Sequence, residues 1–335
     1  DMSEEECRKG VNVPFASWLD ENVRDPVVRT VLELCGPLLG ASIAETSLAQ
    51  FSNVLGSFMR GGGIILRCPK NGILQDTITD PLAKYFTDHG GKIFSNRSVR
   101  SITIENGEAK GVIAQVNDPT LFLEEYSAPV VICAMPIFEA VSRNILRAEY
   151  LTDSWAEAVE QLRMKGGQDL SGFYLLREEI LPKEGLIFGH LMDTDYSIPT
   201  YVGDVVFTSR LSNVQVPAGK QLVVSYIPGG LEATHFGLTT PMENVWEANK
   251  RWKDALDKGF HGFIDAIEYE ELNLQLNWGR YAFTVLPIEV DIQPPNIRGL
   301  YFTGDSIRSV GSLASDKVFE LAFPLSKRVV EYIRS

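Results

Sequence analysis

An acidic residue stands where the end of a strand could meet a ligand. The segment GLYFTGDS, residues 299–306, reads as an apolar strand that ends at Gly304 and Asp305. A glycine lets the backbone approach a ligand closely, and a carboxylate accepts hydrogen bonds from ligand hydroxyls. A helix predicted from about Ala314 offers free N–H groups to an anion or a polarised ring carbonyl. Asp305 could equally be an N-cap or turn residue, because one acid after one glycine is a weak signal.

A second group of residues that could do chemistry lies shortly before that strand, in NWGRYAF. It contains Trp278, Arg280 and Tyr281, which could form an aromatic wall suited to an apolar substrate. A core tryptophan beside a surface arginine explains the same residues without any site. Both interpretations stay open from the residues alone.

Several kinds of catalytic chemistry lack support in the sequence. The cysteines, at positions 7, 35, 68 and 133, are widely spaced, with no CxxC pair and no nearby histidine at metal-ligand spacing. This pattern argues against a zinc site or a disulfide framework and predicts ordinary thiols in a reducing compartment. His190, His235 and His261 are isolated from one another. We find no Ser-His-Asp order, no HExxH and no P-loop that would indicate hydrolysis or phosphoryl transfer.

Composition limits the partners. The chain has 335 residues, 44% of them apolar, a net charge of −13 and an isoelectric point near 4.9. Nucleic acid is excluded as a partner because phosphate binding requires a basic stripe. No apolar run reaches the roughly 18 residues that would span a bilayer. We therefore expect a cytoplasmic protein; membrane contact through an apolar helix is conceivable but not indicated.

The elements that must position these residues alternate along the chain. Apolar residues at helical spacing in residues 14–60 predict several short helices. After Gly61 we expect a turn, a helix and strands, with a hairpin at Asn106-Gly107. APVVICAM, residues 128–135, is apolar throughout and predicts a central strand covered on both faces.

The second half of the chain predicts two more helices and further strands. The helices are expected from Asp153 to about Gly167 and from about Met242 to Lys258, the second with Trp246, Trp252 and Phe260 packed on a partly buried face. The strands LSGFYLLREEI and KQLVVSYIP are expected to be joined by a long loop over residues 181–218. The order predicts a mixed α/β (α+β) fold with two lobes that the chain crosses more than once.

Four segments together resemble the phytoene desaturase and flavin amine oxidase superfamily of FAD-dependent oxidoreductases. GLYFTGDS with its following helix resembles the family's carboxy-terminal flavin-binding element, and CPKNGILQDTITDPLAKYFTDHGGKIFSNRSVRSITIENGEAKGV resembles its glycine turn, helix, Gly-Gly step and hairpin. APVVICAMP is similar to the strand that returns to the nucleotide lobe, and SNVQVPAGKQLVVSYIP to a strand entry of the substrate lobe. The resemblance runs from about residue 10 to the end.

The resemblance implies a cofactor, FAD, and residues that would bind it. Gly304 and Asp305 would contact the pyrophosphate and ribityl chain, Ala134 and Met135 would end the strand beside the dinucleotide, and Val99 would lie where the backbone meets the adenine. Ser312 and Leu313 would approach the pyrimidine edge of the flavin. Trp278, Arg280 and Tyr281 would lie around the flavin face or substrate cavity. No catalytic residue is assigned.

The resemblance also implies an incomplete two-lobed FAD-binding fold. Residues 1–60 would be the helical part of the substrate lobe, 61–145 part of the FAD lobe, 146–285 the substrate lobe, and 286–335 the carboxy-terminal FAD-binding strand, turn and helix. The family opens with G-x-G-x-x-G, and this sequence lacks that fingerprint. We expect either a fragment or a split enzyme whose companion chain carries the G-x-G-x-x-G segment. Loss of FAD is less favoured, because Gly304 and Asp305 are retained.

The function that follows is hydride transfer from an apolar substrate to flavin. Desaturation or isomerisation of a polyene or other lipid-like molecule is favoured over amine oxidation, because no aromatic pair is clearly placed to sandwich an amine. The alternatives are a flavin amine oxidase and a non-catalytic subunit that uses a remnant flavoprotein fold to bind a partner or ligand.

Overall fold

The computed structural model describes most of the chain in separate stretches. These are residues 9–29, 32–33, 43–52, 56, 75–117, 120–164, 167–180, 188–193, 200–207, 209, 216–229, 242–278, 290–304, 306–307 and 314–335. Within them, only the backbone is described for residues 164, 167–169, 188–193, 200–204, 226–229, 242–244, 275–278 and 314–320.

Helices and strands alternate along the described stretches. The helices are α1 (Phe15–Asn22), α2 (Asp80–Asp88), α3 (Ile137–Ser142), α4 (Asp153–Met164), α5 (Met242–Gly259), α6 (Phe263–Ala266) and α7 (Ala314–Arg334). The strands are β1 (Arg97–Glu105), β2 (Glu108–Val116), β3 (Phe122–Ser127), β4 (Val131–Cys133), β5 (Gly167–Leu176), β6 (Phe188–Asp193), β7 (Thr200–Val206), β8 (Gln221–Gly229), β9 (Ile267–Trp278) and β10 (Leu300–Phe302). A π-helical turn (Gln75–Thr79) precedes α2, and a 3-10 turn (Ala148–Tyr150) precedes α4.

The first sheet is an antiparallel meander of β1, β2 and β3. The hairpin predicted at Asn106-Gly107 is confirmed: these residues join β1 to β2 and have φ of 50° and 74°. Positive φ at both central residues is the geometry of a type I′ turn, which matches the twist of the flanking strands. The start of β2 also touches the chain that leads into β10, since Ala109 N–H donates to the Arg298 carbonyl.

The second sheet consists of β4 and β10, which pair in parallel. All of β10 is buried, and its side chains pack with α3, α4 and α7 in one apolar core. The sequence predicted β4 as a strand covered on both faces, and this is wrong for its middle residue. The Ile132 side chain is 49% exposed, because no described element covers that face of β4.

The third sheet is antiparallel, in the order β6-β7-β8-β5-β9. The long loop expected over residues 181–218 is corrected here, because β6 and β7 lie within it and pair with each other. Their pattern was hidden by short length and by glycines at 189 and 203. Helix α5 packs against this sheet through Trp252, which is fully buried, while Phe260 packs at the edge of the same core. Trp246 is half-exposed, so it is less buried on α5 than the sequence predicted for the face that it was expected to share with Trp252 and Phe260.

These observations confirm a mixed α/β fold with more than one apolar core. One core joins β4, β10 and the helices around them, and a second lies between the five-stranded sheet and α5. A smaller cluster around Phe15, Leu19 and Phe51 holds the described part of the opening helices. In the described stretches, no helix combines the length and apolar character needed to cross a bilayer.

Candidate functional site

The carboxyl ends of β4 and β10 lie side by side. The parallel register places Phe302 opposite Cys133, and the Thr303 N–H donates to the Cys133 carbonyl over 3.0 Å. A Cβ added to Gly304 would lie 3.5 Å from the Ala134 carbonyl oxygen. The structure therefore brings together Gly304 and Ala134, two of the predicted cofactor residues that are far apart in sequence.

Gly304 has a backbone conformation that explains why glycine occupies this turn. Its φ is +107°, a region that side chains with a Cβ rarely adopt. The 3.5 Å approach to Ala134 is an ordinary contact, so space alone would admit a methyl group. The requirement for glycine is therefore conformational.

Ser306 closes the turn from its far side. Its side chain is buried, and its hydroxyl oxygen accepts a hydrogen bond from the Ile137 N–H, the first residue of α3, over 3.1 Å. This bond satisfies one of the free N–H groups at a helix start. The sequence analysis did not single out Ser306; its signal was a small polar residue directly after the glycine-acid pair.

The residues that end β4 differ in their surroundings. Ala134 is exposed, whereas Met135 is half-buried and packs against the core around β10. Cys133 also packs against that core, and burial raises the pKa of its thiol. Ala134 is thus exposed at the strand end, while its neighbours anchor the strand.

Val99 lies on the three-stranded sheet. It pairs with Ala114 just before an irregularity between Val99 and Ser101, and its side chain is 40% exposed. An exposed backbone irregularity in a strand is compatible with ligand contact. The assignment of Val99 to adenine remains a prediction.

Several predicted site residues cannot be placed. Asp305, Ser312, Leu313, Arg280 and Tyr281 lie outside the described residues. Trp278 is described only by its backbone, which ends β9 and pairs with Gly167. The proposed roles of all six remain predictions from the sequence.

A buried polar network that the sequence analysis did not find links the five-stranded sheet to α5. The hydroxyl of Tyr174 donates to the Asn249 side-chain oxygen, and the Asn249 amide donates to Glu270 over 2.5 Å. Lys253 pairs with the other Glu270 oxygen over 2.9 Å. Burial strongly raises the pKa of Tyr174, so the phenol stays protonated as a donor. The residues lie up to 96 positions apart in sequence, and no local pattern connects them.

A smaller polar group lies on the three-stranded sheet. The Tyr126 hydroxyl donates to Glu124, and the Arg97 guanidinium donates to the same carboxylate over 2.9 Å. The hydrogen bond from Tyr126, followed by that from Arg97, lowers the pKa of Glu124. This arrangement holds β1 to β3 across the sheet and requires no ligand.

An open groove of about 490 Å³ lies elsewhere, between α4, α7 and residues 291–295. Its wall includes Trp155, Gln293 and the ion pair between Arg328 and Asp291, whose atoms are 2.8 Å apart. Of the predicted residues whose side chains the structure describes, neither Val99, Ala134, Met135 nor Gly304 lines it. Within the described stretches, no group of histidine, cysteine or acidic side chains has the arrangement of a metal site.

Comparison with known proteins establishes the fold. No protein-family model matches the chain, and no curated protein matches it. An oxidoreductase from Methanosarcina mazei is similar in structure, with 18% identity and a TM-score of 0.64 over 94% of this chain and 68% of that chain. The PF1083 protein from Pyrococcus furiosus is similar with 16% identity and a TM-score of 0.63, over 97% of this chain and 70% of that chain.

Proposed function

We propose that this chain is part of an FAD-dependent oxidoreductase and supplies one side of its flavin site. The observation that carries the proposal is the meeting of Gly304 and Ala134 where two parallel strands end side by side. In open α/β sheets, ligands bind just outside the carboxyl ends of the strands. The likeness in fold to an oxidoreductase from Methanosarcina mazei supports the reaction class, and the GLYFTGDS element supports the cofactor.

The residues present at the strand ends fit a dinucleotide. Gly304 has no side chain to block the approach, and Ala134 is small and exposed. Asp305, next along the chain, would accept hydrogen bonds from ribityl hydroxyls. Met135 would hold the end of β4 in place through the core, and Val99 would meet the adenine from the meander sheet. Ser312 and Leu313 would lie at the start of α7, where the helix N-terminus favours negative charge.

FAD, when bound, would supply the hydride acceptor, and the protein's part is to bind and orient the reactants. We propose an apolar, polyene-like or lipid-like substrate that is desaturated or isomerised, with Trp278, Arg280 and Tyr281 beside it. The G-x-G-x-x-G half of the site would come from a missing segment or a partner chain.

Flavin binding tests the proposal directly. The purified chain, alone and with a polypeptide that carries the G-x-G-x-x-G segment, is titrated with FAD while flavin absorption and fluorescence quenching are recorded. Asp305→Ala should weaken flavin binding by about 1 to 3 kcal/mol, roughly 5- to 150-fold, because a charged hydrogen bond is lost. Asp254→Ala, at an exposed acid on α5, is the matched control and should leave binding unchanged.

The alternatives have different outcomes. If the protein binds no flavin even in the presence of FAD and the polypeptide with the G-x-G-x-x-G segment, only the alternative of a non-catalytic binding subunit would remain. Flavin reduction by an amine, and not by a polyene, would favour the amine oxidase. Unchanged flavin binding in Asp305→Ala would remove Asp305 from the site.

A further inference from the structure

The groove between α4, α7 and residues 291–295 holds two opposite charges side by side. The Arg328 guanidinium donates to Oδ1 of Asp291 over 2.8 Å, and the two side chains are 46% and 58% exposed. Both line the groove, whose volume is about 490 Å³. Pockets that take small molecules typically enclose about 300 to 1,000 Å³. The groove is therefore large enough for a small ligand, and it presents both a cation and an anion.

Both charged side chains can form further hydrogen bonds. A guanidinium has five N–H donors, and Arg328 uses one of them within the described part of the chain. Oδ1 of Asp291 accepts from Arg328 and from the backbone N–H of Gln293, whereas Oδ2 has no hydrogen-bond partner among the described residues. A ligand can therefore bind to both side chains without breaking the ion pair.

Packing and hydrogen bonds hold the elements around the groove in place. Trp155 of α4 packs against Phe302 of β10, with ring centroids 5.9 Å apart. The Ile292 carbonyl accepts from the Phe302 N–H over 2.7 Å, which ties residues 291–295 to the same strand. The ion pair joins that segment to α7. The groove is therefore largely preformed, and its apolar wall consists of Trp155, Ala158, Pro294 and Pro295.

We propose that this groove binds a free α-amino acid with an apolar side chain. The carboxylate of the ligand accepts hydrogen bonds from Arg328, its ammonium donates to Oδ2 of Asp291, and its side chain lies against the apolar wall. The two charges of the groove cancel, so a ligand with a single charge would be repelled by one of them. A zwitterion pairs with both.

This site is separate from the proposed flavin site. None of Val99, Ala134, Met135 and Gly304, the predicted cofactor residues whose side chains the structure describes, lines the groove. The amino acid is bound there and is not transformed. The inference therefore goes beyond the proposed function, and its test needs no FAD. Failure of amino-acid binding would leave the flavin proposal unaffected, and the reverse also holds.

The test is a titration of the purified chain with L-phenylalanine, followed by calorimetry and by NMR of the indole N–H groups. We expect one-to-one binding with a Kd of about 1 mM or tighter, which a ligand of this size can reach. The indole N–H resonance of Trp155, identified by its loss in Trp155→Phe, should shift. N-acetyl-L-phenylalanine lacks the ammonium, L-phenylalaninamide lacks the carboxylate and glycine lacks the side chain, so each should bind about tenfold or more weakly.

Four variants locate the contact. Arg328→Gln and Asp291→Asn each remove one charge from the groove and should each weaken L-phenylalanine binding about tenfold or more. Asp291→Asn should also abolish the preference for L-phenylalanine over its N-acetyl form. Arg163→Gln and Glu160→Gln are matched controls, because these side chains form an ion pair on α4 outside the groove and are 45% and 55% exposed. They should alter affinity less than about twofold, and urea unfolding checks that each variant is folded.

The remaining outcomes overturn the proposal. Absence of saturable L-phenylalanine binding would do so, as would binding that leaves the Trp155 resonance unshifted. Unchanged affinity in either Arg328→Gln or Asp291→Asn would remove the ion pair from the site. Equal affinity for L-phenylalanine, its N-acetyl form and its amide would show that the groove does not recognise a zwitterion.

Discussion

Alanine substitutions at three glycines with positive φ can distinguish the cost of backbone strain from the cost of steric overlap, because the three positions differ in the space around them. Gly262, Gly304 and Gly299 have φ of +86°, +107° and +72°. Replacement by alanine should cost each about 1 to 2 kcal/mol, because a Cβ disfavours this conformation. What differs is the space around the new methyl group.

The surroundings set the expected order of destabilisation. No atom lies within 4 Å of a Cβ at Gly262, and the nearest to one at Gly304 is the Ala134 oxygen at 3.5 Å. At Gly299 the Pro129 carbonyl oxygen would be only 2.7 Å away. Because that atom belongs to the backbone beside β4, relief requires the strand to shift, which adds roughly 1 to 3 kcal/mol. Gly299→Ala should therefore be the most destabilising of the three.

Urea unfolding followed by circular dichroism measures the three free energies of unfolding. Flavin titration then separates the site from the fold, because Gly304→Ala should weaken FAD binding, whereas Gly262→Ala, which also places a Cβ at positive φ but lies outside the site, should not. Equal destabilisation by Gly299→Ala and Gly262→Ala would show that the strand ends are not packed as described. A neutral Gly304→Ala would refute the strained turn.

Three further predictions concern polar groups. Tyr174→Phe leaves the buried side-chain oxygen of Asn249 without its hydrogen-bond donor, so the free energy of unfolding, measured by urea denaturation, should fall by about 1 to 3 kcal/mol. An unchanged free energy of unfolding would mean that the network is not formed. Burial raises the pKa of the Cys133 thiol, so this thiol should stay protonated near pH 8 and react with iodoacetamide more slowly than a free thiol. The reaction rate should rise above pH 9, and fast alkylation at pH 8 would contradict the burial of Cys133. Tyr126→Phe removes the main cause of the lowered pKa of Glu124, which should rise toward its usual value in an NMR titration, and an unchanged value would assign the shift to Arg97. A carboxyl group whose pKa is lowered by folding stabilises the fold above its unfolded-state pKa, and this stabilisation is lost as the pH falls through the folded-state pKa. Tyr126→Phe removes part of the stabilisation at neutral pH, so the variant should lose less stability than the wild type when the pH is lowered.

Much of the local structure could be predicted because its causes are local. The turn at Asn106-Gly107 follows from residues that accept positive φ. The final helix was expected from about Ala314 and begins there. The helix starting at Asp153 ends at Met164, three residues before the expected Gly167. Strands β6 and β7 were not predicted, because short strands with glycines carry little pattern and form through pairing with neighbours.

The candidate site shows the same division. The glycine and acid after an apolar strand pointed to Gly304, and a resemblance pointed to Ala134, but neither revealed how the two residues meet. Ser306 follows the glycine and the acid directly, but the sequence did not reveal that its hydroxyl links this turn to α3, because its partner Ile137 is 169 residues away.

The sequence alone determined several of the helices, strands and turns, among them the Asn106-Gly107 hairpin and the final helix, and that one strand ends at a glycine and an acid. Those properties depend on side-chain periodicity and on the φ values that each residue tolerates. Only the tertiary structure decided that β4 lies parallel to β10, that Gly304 faces the Ala134 carbonyl, and that Ile132 is left exposed. The choice of strand partner depends on which surfaces can be buried together, and residues far apart in sequence settle it.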